Sequence, residues 1–91
     1  MTIVPWEVAP TALRVTNRLA VEHDVSIATA RAFVFLAALR PVMRETAVPD
    51  PSLALSLACA AVGEALGVDD AKIARLIIAA GEAFREEAAT R

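Results

Sequence analysis

The chain has no tyrosine, one cysteine, one histidine, one tryptophan and three glycines among its 91 residues. Each scarcity excludes a class of chemistry. Cys59 alone cannot close a disulfide within its own chain, and a thiol without a partner fits a reducing cytoplasm. It lies in the apolar stretch Leu57-Ala58-Cys59-Ala60-Ala61, a core setting that offers no activating cation or base. His23 is flanked by Glu22 and Asp24, but three consecutive helical residues point in different directions and cannot face one ion. Three scattered glycines cannot form a phosphate-cradling loop. Without tyrosine, and with one isolated histidine, neither acid–base catalysis nor base stacking has an obvious agent. The expectation is a protein that is not an enzyme, with no catalytic residue, cofactor or metal site.

A surplus of one charge is also missing. Nine basic and eleven acidic residues leave a net charge of −2. Five of each sign fall in residues 1–50, and four basic and six acidic fall in 51–91. Neither half is a basic arm, so the balance disfavours nucleic acid and anionic membranes as partners. The longest charge-free run, 51–63, is shorter than the ~20 residues a membrane span needs. The opening MTIVPWEVAP lacks the basic and apolar regions of a secretory signal. A cytoplasmic protein without a membrane span is expected.

What the chain has in excess is aliphatic side chain. Apolar residues make up 57% of it, against a usual figure of about 45–50%. Alanine inflates the figure, because it sits on helix surfaces at no cost. The rest needs either an interior or a partner, and a single domain this small has little interior.

Three breaks, at 5–10, 41–51 and 67–70, divide the sequence, and the periodicity between them is helical. Residues 1–10 read as an extended segment. A helix is predicted over 11–23, with Thr11 as cap and an apolar row of Ala12, Val15 and Leu19. Arg14, Arg18 and Glu22 form a polar row at four-residue spacing. A second helix starts at the cap Ser26 and reaches Arg40, where Pro41 should kink or stop it. Asp50 as cap and Pro51 at the first position start a third helix to Leu66, ended by Gly67. A fourth begins at Asp69 or Asp70 with the stripe Ile73, Leu76, Ile77, Ala80 and Phe84. Residues 85–91 read as a frayed tail. The fold class is all-α, a small helical bundle or orthogonal array of four to five helices. The second and third helices, apolar nearly all round, are expected to be innermost.

Residues 62–76, VGEALGVDDAKIARL, carry a recognisable spacing. Gly63, Gly67 and Ile73 occupy the small, turn and aliphatic positions, and Val62, Leu66, Val68 and Leu76 the apolar ones. The segment resembles the generic helix-turn-helix motif of bacterial transcription regulators, over fifteen of 91 residues. The resemblance implies that glycine supplies the positive φ of a tight turn between two steeply crossed helices. A related unit spans 19–33, with Asp24 where glycine is expected; its offset of forty-three residues points to an internal duplication. In a DNA-binding regulator of this kind, Arg31, Lys72 and Arg75 would contact DNA. Asp69 and Asp70 oppose that, because carboxylates at the start of a recognition helix repel phosphates.

Two functions follow as expectations. The first is a non-catalytic protein–protein interaction or assembly module acting as a homo-oligomer. Its interface would be drawn from Trp6, Phe33, Phe35, Leu39, Leu53 and Leu57, with Trp6 either a partner anchor or a staple for the first helix. The alternative is a helix-turn-helix regulator.

Overall fold

Start signals in the sequence set where the helices begin. The computed structural model describes the backbone of residues 4–89 and the side chains of residues 10–87 and 89. Four helices run through the described residues: α1 (Val4–His23), α2 (Ile27–Glu45), α3 (Pro51–Leu66) and α4 (Asp70–Ala89). The fold is an all-α bundle, with no strand among the described residues. Ser26 caps α2, its Oγ accepting from the Thr29 N–H at 3.1 Å. Asp50 caps α3 by accepting from the Leu53 N–H at 3.2 Å, with Pro51 at the first position. Asp69 does the same for α4, accepting from the Lys72 N–H at 2.8 Å. Each cap satisfies a backbone donor that has no partner inside its helix.

The helices also end alike. Asp24, Ala47 and Gly67 are left-handed, with φ of 52°, 57° and 72°. In each case the next residue's N–H reaches back to a carbonyl five residues earlier: Val25 to Ala20, Val48 to Met43 and Val68 to Gly63. This closure satisfies carbonyls that the final turn would leave bare.

Three boundaries differ from the sequence reading. Residues 4–10 are helical rather than extended, so α1 passes through Pro10. α2 likewise runs through Pro41 instead of stopping at Arg40. An interior proline removes one backbone hydrogen bond, and here the helix continues past that gap. The α2 end is then held by the Thr46 and Val48 N–H groups and by Thr46 Oγ1, which donates to the Val42 carbonyl at 2.8 Å. Finally, α4 continues to Ala89. Its last turns are tied to α1 by ion pairs at Glu86 and Glu87.

Packing places α2 and α4 against each other at the centre. α1 packs on both, α3 packs on both, and α1 and α3 do not touch among the described residues. The core holds Val15 and Leu19 from α1, Phe33 and Leu36 from α2, and Leu76 and Ala80 from α4. α3 was expected inside and is instead an edge helix. Only Leu55, Cys59 and Gly63 of its sixteen residues are buried. α4 takes the central place because its bulky residues recur on one face, whereas α3 spreads its leucines and alanines around its circumference.

The two halves repeat each other. The same pairs of helices touch when α1 is exchanged with α3 and α2 with α4, although α3 packs less extensively on its neighbours than α1 does. Asp24 and Gly67, forty-three positions apart, make the same left-handed turn. The caps Ser26 and Asp69 correspond at the same offset, as do the buried pairs Ala30 with Ile73 and Phe33 with Leu76. The α3–α4 corner bends the chain by 120°. Gly63 lets the two helices close there, since a Cβ on it would collide with the Ile73 side chain, whose Cγ1 would lie 2.6 Å away.

Candidate interaction surface

The residues that could meet a partner are set by which faces the bundle leaves uncovered. α3 covers one face on α2 and α4, and its far side carries Leu53, Leu57, Ala60, Ala61 and Glu64, all exposed. These recur at three and four residues and therefore form one stripe. Leu53 is 54% and Leu57 62% exposed. Glu64 is the helix's single charge. On α2, Arg31, Phe35 and Val42 share an outward face, with Phe35 62% exposed.

The expected interface residues thus divide. Phe35, Leu53 and Leu57 lie on the surface. Phe33 is 0% exposed, enclosed by the chain's own core, and cannot contribute to a surface. It is two positions from Phe35, about 200° around the helix, so the two rings face opposite ways. Leu39 is half-buried against the core. The Trp6 side chain lies outside the described residues. Six exposed aliphatics were missed, Leu13, Val21, Ile27, Val42, Leu66 and Ile78. Leu13 and Val21 fall off the apolar row of α1, and that offset was the signal available for them.

The electrostatics leave some cations neutralised and others open. Arg18 bonds Glu22 at 3.1 Å and Glu86 at 2.6 Å. Arg14 bonds Glu87 at 2.9 Å and Thr11 Oγ1 at 3.2 Å. Glu86, then Glu22, hold the Arg18 guanidinium still more firmly protonated than usual. This seam joins α1 to the end of α4. No ion pair engages Arg31, Arg40, Arg44, Lys72 or Arg75 among the described residues. Arg31 and Arg75 are exposed and Lys72 half-buried, on two different helices. At the start of α4, Asp69 is occupied as a cap and Asp70 is exposed.

Between α3 and α4 lies a groove of about 400 Å³. Leu55, Cys59 and Ile73 line it, with Arg40, Ser56 and Asp70 among its polar groups. Burial pushes the Cys59 thiol above its ordinary pKa, which keeps it protonated and a poor nucleophile. Among the described residues no three His, Cys, Asp or Glu side chains are grouped to hold a metal, and no helix is long and apolar enough to cross a membrane. Comparison of the chain with protein families, curated proteins and solved structures gave no match.

Proposed function

We propose that the chain is a non-catalytic helical assembly module that associates with copies of itself through exposed apolar helix surface. The observation that carries this reading is the edge position of α3, a helix with one charged residue and an outward stripe containing Leu53 and Leu57. Among the described residues no element covers that stripe. Covering a half-exposed leucine contributes roughly 1–1.5 kcal/mol, against an association cost of about 4 kcal/mol or more. A few such residues support a concentration-dependent assembly rather than an obligate one.

Light scattering across micromolar to millimolar protein tests the reading. The expected result is a mass that climbs from one copy to at least two. A mass fixed at one copy throughout that range would refute it.

DNA binding is the second reading. In its favour are the 120° corner, the left-handed Gly67 and the close packing of Gly63 on Ile73. Against it stand the exposed Asp70 at the start of α4 and the pairing of Arg14 and Arg18 with carboxylates. Titration with mixed-sequence duplex at low salt, where phosphate attraction is strongest, separates the two. No binding there would end the DNA reading.

A further inference from the structure

The internal repeat permits a comparison between its two outer seams. In one, Arg14 and Arg18 of α1 meet Glu87 and Glu86 of α4. Forty-three positions away, the places of those arginines are taken by Leu57 and Ala61 on α3. The places of Glu87 and Glu86 are taken by Arg44 and Met43 on α2. One seam is therefore closed by opposite charges within the chain. By the same correspondence, its counterpart pairs the α3 position of exposed Leu57 with the α2 position of Arg44, an arginine that has no ion partner among the described residues. Glu64, one turn or two further along α3, is likewise exposed and unpaired.

We infer that a second copy of this chain closes the open seam, with α3 packed antiparallel on its twin about a two-fold axis at Ala60 and Ala61. This rests on the assembly reading and names its surface. A two-fold contact is self-complementary, so each residue appears twice. With the axis at Ala60 and Ala61, the small side chains allow close approach of the helices. Leu57 of each copy then covers the aliphatic stem of the other copy's Glu64, whose carboxylate comes within reach of Arg44 beside that leucine. The competing register stacks Leu57 on Leu57. It places Glu64 opposite Asp50 of the other copy, two like charges. Charge thus selects the first register over the second.

Sedimentation equilibrium on the full chain tests the inference, with circular dichroism to check that each variant folds. Leu57→Asp should weaken self-association at least about tenfold, since it puts two carboxylates into the contact. Glu64→Arg and Arg44→Glu should each weaken it by about tenfold, and the double variant should recover most of the loss. Glutamate at position 44 is unfavourable at a helix C-terminus, so Glu64→Arg serves as the independent probe should Arg44→Glu unfold. Self-association unchanged by Leu57→Asp, or charge reversals without mutual rescue, would overturn this surface and leave assembly standing. A parent chain that stays monomeric would overturn both.

Discussion

Left-handed backbone strains most residues other than glycine, and three helix C-termini here depend on a left-handed residue, two of them without a glycine. Gly67 adopts φ 72° with open space where a Cβ would project. Gly67→Ala therefore meets no clash and incurs only the conformational penalty, about 1 kcal/mol. Ala47 makes the same turn at φ 57° with a Cβ in place. Ala47→Gly should stabilise the fold by about 0.5–1 kcal/mol, somewhat offset by the freer unfolded chain. Opposite shifts of the urea midpoint for these two variants are the expected outcome; equal signs would show that the turns are not equivalent. Gly63 poses a different problem, because a Cβ would meet a buried isoleucine. Gly63→Ala should cost about 1–2 kcal/mol in chemical denaturation, part of which Ile73→Val should return. Cys59 gives a check of another kind. Its burial predicts slow alkylation in the native state and fast alkylation in urea. Stability owed to the neutral thiol is present below its ordinary pKa and lost as pH climbs through the raised one.

At the scale of elements, the legible features were those that act locally. Ser26, Asp50 and Asp69 bond residues three positions away, so a short window contains the whole interaction. The prolines were misread because their effect depends on what the helix gains beyond them. Past Pro41, four more residues of α2 continue to the Thr46–Val48 closure. Pro41 is exposed, so Pro41→Ala alters no core contact and restores one backbone donor. Its expected effect is a stabilisation of about 1–2 kcal/mol, read as a rise in melting temperature. Face assignment was the other feature that a local window does not reveal. Phe33 and Phe35 sit in a segment apolar on every side, and nothing within it tells which ring the neighbouring helices will enclose. The ion pairs between α1 and α4 span seventy-three positions for Arg14 and Glu87, and no window reads across that distance.

For the molecule as a whole, thickness is the governing dimension. The Cα positions extend 35 × 32 × 18 Å, and 18 Å accommodates two helix layers at a spacing of about 10 Å. In two layers an edge helix must turn one side outward. α1 and α3 both hold edge positions, and they differ in how they are secured. α1 is bonded across to Glu86 and Glu87 and buries Val15 and Leu19. α3 is joined by no side-chain ion pair to another helix among the described residues and buries only Leu55, Cys59 and Gly63. Local opening follows buried contact, so α3 should exchange its amide hydrogens fastest of the four helices and α2 and α4 slowest. If copies of the chain cover the Leu53–Leu57 stripe, mass action adds protection to α3 as protein concentration rises. Hydrogen exchange at dilute and concentrated protein should therefore slow in α3 while leaving the α1 rates unchanged. Slowing spread evenly over all four helices would instead locate the contact elsewhere, because only a local cover protects one helix selectively.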